Sequence, residues 1–410
     1  MKVAVWGINY SPEVTGIAPY NVALCRHLKS SGHDVRMVTT FSYYPTWKKR
    51  PEDRGRLYRT DLIDGVPVHR CWHFVPAKPN ALKRILHEAS FITTSWCRLL
   101  FLPRADVYVV VSPPLLLGFA AWILTRIKRA PFVFHVQDLQ PDAAVGLGML
   151  KPGLLTKVLY WLEAFAYHKA ALVSGICEGM VKAFERKGVP SSKRYLFFNG
   201  VNVATESEKP PTGVFRSSHS LGNDAFLAIY SGNLGVKQGL GILLEAAALV
   251  TKQSVRIVIC GDGAERTQLE ATAKARGLQN VIFLPLQPDQ QYRNMLADAD
   301  VSLITQQAGT GQFFFPSKLL SNLSAGKAVV TVADPDSELA LAQAAGSFGF
   351  NVLPGRPDEL ARLLDSLAER RSELPRLGES GRAFVSQFAF GKVLSDFETE
   401  LKRLGKPRSR

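Results

Sequence analysis

"YSGNLGVKQGLGILLEAAALV", residues 230–250, is the stretch whose reading decides the fold. It continues an apolar run of strand length, "AFLAIYSG" (225–232), that stops at Gly232. A glycine-bearing loop then carries Asn233, Lys237 and Gln238, and a long apolar helical pattern follows. The arrangement repeats at once. "VRIVICG" (255–261) enters the tight turn Gly261-Asp262-Gly263, and a helical pattern follows. Strand, glycine turn and helix in succession make the βα unit of a parallel sheet, whose ligands lie at the carboxyl ends of the strands.

The same alternation extends both ways. "VIFLP", "VSLIT" and "AVVTVA" continue it downstream. Upstream, "VAVWGI", "DVRMVTT", "VYVVV", "FVFHV" and "ALVSGI" are separated by helix-like segments such as 18–31 and 153–170. The one aperiodic break, 203–222, is polar and bears proline and glycine. The expected architecture is therefore α/β, with two Rossmann-like, doubly wound parallel sheets facing across a cleft. Their bounds are expected at 1–202 and 223–379, with a linker at 203–222. Residues 380–410 are expected to form a helix returning to the first domain, then a basic tail. A chain of 410 residues is long enough for two such cores.

Composition narrows the setting. Hydrophobic residues make up 46% and charged ones 21%, which suits a folded chain rather than a disordered one. Five cysteines are scattered with no metal-pair spacing, so neither a zinc site nor a disulfide framework is expected, and the compartment is read as reducing. "MKVAVWGIN" has too short an apolar run for a signal peptide and reads as a first strand, which points to the cytoplasm. A net charge of +15 suits an anionic membrane surface or a phosphate-bearing substrate. The basic residues form no dense block with interleaved aromatics apart from the tail, so nucleic acid is not expected. "VYVVVSPPLLLGFAAWILT" (107–125) is long enough to span a bilayer. Ser112-Pro113-Pro114 divides it into a strand and a buried helix instead.

The first strand leads not into Gly-x-Gly-x-x-Gly but into "NYSPEVTGIAPYNVALCRHL", where Gly16 alone precedes a helix. That counts against a dinucleotide oxidoreductase. Gly16 still permits close approach of backbone N–H groups to a phosphate or sugar. In "GQFFFPSKLLSNLSAGKAVVT" (311–331), Pro316 and Ser317 open a short helix. With Ser317 as N-cap, the N–H groups of Lys318, Leu319 and Leu320 face an incoming anion.

Taken in order, "NYSPEVTGIAPY", "DGVPVHR", "VSPPLLLGFAA", "PFVFHVQDLQPDAAVGLGML", "FFNGVN", "YSGNLGVKQGL", "GDGAERTQLE" and "FPSKLLSNLSAGKAVV" resemble the retaining glycosyltransferases of family 4, of GT-B fold. Within that family they look most like the colanic-acid (exopolysaccharide) fucosyltransferase-like branch. The resemblance implies transfer of a sugar from a nucleotide diphosphate donor to a glycan with retained configuration. It implies no metal and no cofactor besides the donor.

The sequence departs from the family in three places. The family's paired glutamates fall at Phe313 and Ser321, its donor-facing arginine and lysine at Asn233 and Gln238, and its first-domain histidine at Gln137. Lys237 and Lys318 lie in the same loops as the lost cations and can replace them. Ser321 is the remaining partner for a ribose. Thr310, Gly311 and the glutamines of "QQAGTGQ" (306–312) offer neutral groups to sugar hydroxyls. An apolar wall at Phe313, Phe314 and Phe315 suits a 6-deoxy sugar better than a hexose. His135 shares a strand face with Gln137 and is read as its partial stand-in. By resemblance Asp138 faces the reaction centre.

Residues 81–101 place Leu82, Ile85, Leu86, Ala89, Ile92, Trp96, Leu99 and Leu100 on one stripe flanked by Lys83, Arg84 and Arg98. Such a helix fits a core or a membrane interface. The expected partners are thus a GDP- or UDP-linked sugar, a lipid-diphosphate-linked glycan acceptor and the anionic inner face of the cell membrane. Two other readings stay open: a scaffold that has lost its carboxylates and binds no donor, and a sugar-nucleotide epimerase, which would form product without acceptor.

Overall fold

Among the described residues the β-branched runs form fourteen strands in two sheets. The computed structural model describes residues 1–78, 80–146, 150–151, 153–203, 210–311 and 317–405. The chain divides into two compact units, Met1–Gly200 with Phe390–Arg410, and Val201–Ala389.

In the first unit the strands are β1 (Lys2–Trp6), β2 (Asp34–Thr40), β3 (Tyr58–Ile63), β4 (Val66–Cys71), β5 (Val107–Ser112), β6 (Phe132–Val136), β7 (Leu172–Gly175) and β8 (Arg194–Leu196). Their order is β3-β4-β2-β1-β5-β6-β7-β8. All neighbours are parallel except β3 with β4. That hairpin, absent from the sequence reading, turns at Asp64-Gly65 with φ of 50° and 73°. Paired positive φ angles are what a two-residue hairpin turn demands, and Asp-Gly supplies them. β5 is buried at all six positions, as a central parallel strand must be. Its neighbour in sequence is the helix Leu117–Lys128, and no described helix is long and apolar enough to cross a membrane.

The second unit holds β9 (Phe226–Ser231), β10 (Val255–Cys260), β11 (Val281–Leu284), β12 (Val301–Thr305), β13 (Ala328–Val332) and β14 (Gly349–Val352). They pair in the order β11-β10-β9-β12-β13-β14, all parallel. Part of the segment read as a linker is structured within this unit. Helix Val214–Ser218 buries Phe215 and Arg216. The Arg216 guanidinium donates to the carbonyls of Gly222, Ala225 and Asp298 and pairs with Asp300.

The final pattern, expected as one helix over 380–404, is two: Leu374–Val385 in the second unit and Phe390–Gly405 in the first. Phe397 of the latter stacks on Phe197 at 3.9 Å between ring centroids. This helix is fixed to the first sheet by apolar burial and by Glu398, which meets His27 at 2.8 Å and His33 at 3.0 Å.

Candidate active site

In the second unit the loops at the carboxyl ends of β9, β10 and β12 are knitted together by backbone. Gly232 has φ +140°, and a Cβ there would stand 2.2 Å from Lys318 Cε. Only glycine lets the lysine lie across this loop. Gly261, at φ +145°, leaves no room for a Cβ, which would come within 1.8 Å of the Gly232 carbonyl oxygen. A Cβ on Gly263 would meet the Leu234 oxygen at 2.3 Å. The Leu234 N–H donates to Asp262 O at 2.8 Å, and the Gln307 N–H donates to Lys237 O at 2.8 Å. Thr305 Oγ1 donates to Gln238 O at 2.5 Å.

Lys318 is the second residue of helix Ser317–Ser324. Its Nζ donates to the Tyr230 hydroxyl at 2.6 Å and lies 4.1 Å from that ring's centroid. The hydroxyl in turn donates to Asn233 O at 2.7 Å. Burial pulls the Lys318 pKa from 10.5 down to about 7, and among the described residues no carboxylate opposes it. Burial, then Glu265, push the Tyr230 phenol up, so it stays neutral and supplies no counter-charge. A desolvated ammonium with no anion beside it is a site prepared for one.

The other expected donor residues take different places. Asn233 is exposed, and Lys237 and Gln238 are half-buried in the turn Val236–Gln238. Thr310 is buried and its hydroxyl closes its own turn onto Gln307 O at 2.6 Å. Gly311 packs against Ser337, whose Cβ would lie 2.4 Å from a Cβ at 311. Leu319 is fully buried, so only its backbone can serve a ligand. Ser321 donates to Lys318 O at 3.0 Å, and its oxygen also lies 3.5 Å from the Tyr292 hydroxyl. The Ser317 side chain and residues 312–316, which include the Phe313–Phe315 wall, lie outside the described residues. A cavity of about 560 Å³ opens beside the same loops, between Gly239–Gly241, Glu265 and Gln306–Ala308, and Lys318 does not line it.

In the first unit, Gly16 has φ +65° and faces the Tyr44 ring, 3.6 Å from where a Cβ would be. The loop around it is anchored by buried Glu13, which accepts from the N–H groups of Tyr43 (2.8 Å) and Tyr44 (2.9 Å) and from Asn9 Nδ2 (2.7 Å). His135 is buried, and burial drives its pKa to about 3. It is therefore a neutral imidazole. Nδ1 pairs with Ser174 Oγ at 2.9 Å, and Nε2 accepts from Gln137 Nε2 at 2.8 Å. Gln137 and Asn199 exchange two amide hydrogen bonds, of 2.9 and 3.0 Å. With both nitrogens engaged, His135 orients Gln137 rather than offering itself to a ligand. Asp138 follows at the strand's end, half-buried. Among the described residues no three His, Cys, Asp or Glu side chains converge as metal ligands.

Residues 15–200 match the glycosyl transferase 4-like domain and residues 213–384 match glycosyl transferases group 1. A protein of Escherichia coli K12 named for colanic acid biosynthesis, the glycosyl transferase WcaI, is 34% identical over 83% of this chain and 85% of its own. The chain belongs to the group 1 glycosyltransferases. Another relative, the glycosyltransferase WbjE of Pseudomonas aeruginosa, is 26% identical over 69% of this chain and 71% of its own. The GT-B fold agrees with sucrose-phosphate synthase from Thermosynechococcus elongatus (TM-score 0.77, 16% identity, 98% of both chains). It agrees also with Anabaena HepE in complex with UDP-glucose (TM-score 0.71, 17% identity, 98% of this chain and 100% of that one).

For a group 1 glycosyltransferase, two side chains were missed by sequence reasoning. Tyr230 lies in a quoted motif but reads as one more strand aromatic. Glu88, on helix Ala81–Phe101, is held up at about 7 by burial, against a hydrogen bond from Gln140 and the charge of Arg84. Nothing in its local pattern marks it.

Proposed function

We propose that this glycosyltransferase takes a sugar from a nucleotide diphosphate and transfers it, with retained anomeric configuration and without a metal, to a lipid-linked exopolysaccharide intermediate. The carrying observation is Lys318: half-buried, unopposed by any carboxylate among the described residues, and seated at a helix start beside Gly232 and Gly261. Departure of a nucleoside diphosphate develops negative charge, and a preorganised cation at a helix N-terminus stabilises it most as that charge grows. Lys237 adds a second cation on the neighbouring loop. HepE, of the same fold, is known in complex with UDP and with UDP-glucose, which supports a nucleotide-sugar donor. The name of WcaI supports a colanic-acid-type pathway.

Asp138 is proposed to orient the acceptor hydroxyl or take its proton, with Gln137, set by His135 and Asn199, beside it. A 6-deoxy donor such as fucose fits the phenylalanine-rich 313–315 segment. Transfer assays with GDP- and UDP-linked sugars and a membrane-extracted acceptor test the reading. Product with the donor's anomeric configuration, formed in EDTA and lost in Lys318→Ala, supports it. Inversion, a metal requirement or glucose preferred over fucose would each overturn the corresponding part.

The absence of carboxylates at Phe313 and Ser321 favours a second reading, a scaffold that keeps the fold without turnover. Calorimetry separates the two, because a scaffold of this kind binds no donor.

A further inference from the structure

Three helices lie side by side over one face of the first sheet: Ala81–Phe101, Leu117–Lys128 and Leu154–Lys169. Each ends just before the next parallel strand begins, so all three start at the sheet's carboxyl end. Exposed apolar side chains cluster in those first turns, with Phe101 and Ile127 exposed singly at the far ends of the first two helices. Leu82, Ile85 and Leu86 are on the first helix, Phe119 is on the second, and Leu154, Leu155, Val158 and Trp161 are on the third. Leu154 is 80% exposed, Leu82 66% and Trp161 61%. Farther along the first helix the stripe turns inward: Phe91 and Leu99 are buried, and Trp96 Nε1 donates to Ala120 O at 3.2 Å. The outer part of the stripe is thus one edge of a band that crosses three helices at one level.

Aromatic contacts join the other edge. Phe119 meets Phe165 at 5.5 Å between centroids, and Phe165 meets Trp161 at 5.8 Å. The charges beside the band have one sign. Lys83, Arg84, Lys151 and Lys157 are exposed, whereas the acids of these helices are Glu163, buried against Lys187, and the half-buried Glu88.

We propose that this band is the surface by which the chain lies on an anionic bilayer. Leucines on a helix's first turn, a tryptophan edge and exposed cations without acids are the composition of an interfacial surface. Protein interfaces, by contrast, are depleted of lysine. The inference rests on the lipid-linked acceptor proposed above. It gives that acceptor a route, since the band lies at the sheet end that carries Gly16 and Asp138.

The test is cosedimentation of the full chain with phosphatidylcholine vesicles, with and without phosphatidylglycerol, at low and high salt. Wild type should bind the anionic vesicles and release in salt. Leu154→Ser, Leu155→Ser and Trp161→Ser combined should weaken binding roughly tenfold or more without changing Tm or the donor-induced thermal shift. Quenching by brominated lipid, weaker in Trp161→Phe than in wild type, reports the same contact without the triple variant. No wild-type binding, unaltered variant binding, or a dimer that the variant dissociates would overturn the proposal. If vesicle binding follows the band while no nucleotide sugar shifts Tm, the donor reading fails and this one stands.

Discussion

The Nζ of Lys318 lies 2.6 Å from the Tyr230 hydroxyl, and that hydroxyl donates its own proton to Asn233 O. The phenol therefore turns a lone pair to the ammonium, which is held in place without being neutralised. Tyr230→Phe keeps the ring under the lysine and removes this support. Calorimetry should show donor binding weakened by about 1.5–3 kcal/mol, the worth of a hydrogen bond to a charged group, with Tm nearly unchanged. Unaltered affinity would show that Tyr230 does not position Lys318.

The depressed pKa of Lys318 has two consequences for pH. Its unfolded value is the higher, so between about pH 7 and 10.5 the unfolded chain holds the extra proton, and stability from this group rises with pH there. Lys318→Met should gain most in Tm below pH 7, and the gain should shrink towards pH 10. A bound diphosphate favours the ammonium, so donor binding above pH 7 should take up a proton and weaken as pH rises. Calorimetry in buffers of different ionisation enthalpy reads that uptake. None in wild type would contradict the assignment.

Gly232 and Gly261 should fail differently. A Cβ at 232 meets a side chain, Lys318, which can move, whereas one at 261 meets the Gly232 carbonyl. Gly232→Ala is expected to cost about 1–3 kcal/mol from its backbone angle and to abolish the donor-induced shift in a folded protein. Gly261→Ala should lower Tm further, by melting the second unit. Thermal melts with and without UDP or GDP distinguish them.

Glu398 is expected to set the acid limit of the first unit. Burial pushes its carboxyl up, but hydrogen bonds from Lys402, His33, His27 and Ser31 outweigh that and hold it at about 2. The stabilisation is complete above the ordinary value of about 4.5 and is lost as pH falls towards 2. Glu398→Gln should destabilise by about 1–3 kcal/mol at pH 7 and flatten the melting profile between those values. A variant profile parallel to wild type would show that another carboxylate sets the limit.

Much of this was legible because buried parallel strands advertise themselves. "DVRMVTT", "FVFHV" and "VSLIT" coincide with β2, β6 and β12, whose residues, Asp34 apart, are buried. The strands missed are mostly marginal ones, apart from β4, which is buried at five of its six positions but whose run is interrupted by Pro67 and the charged Arg70. β3 is nowhere fully buried, β8 has three residues, and β14 is half-buried at three of its four positions. The glycines of the donor loops stood out in sequence. Their reason did not, because Gly232 answers to a lysine 86 residues away and Gly261 to Gly232 itself. Likewise no local pattern could place His135 between Ser174 and Gln137, or make Tyr230 the seat of Lys318.

The central claim is that Lys318 receives the donor's diphosphate. A thermal-shift panel tests it most directly, with GDP, UDP and their sugars each applied to wild type and to Lys318→Ala. The account predicts a shift with one base in wild type, increased by the cognate sugar and absent in the variant. Equal shifts in both proteins would contradict it.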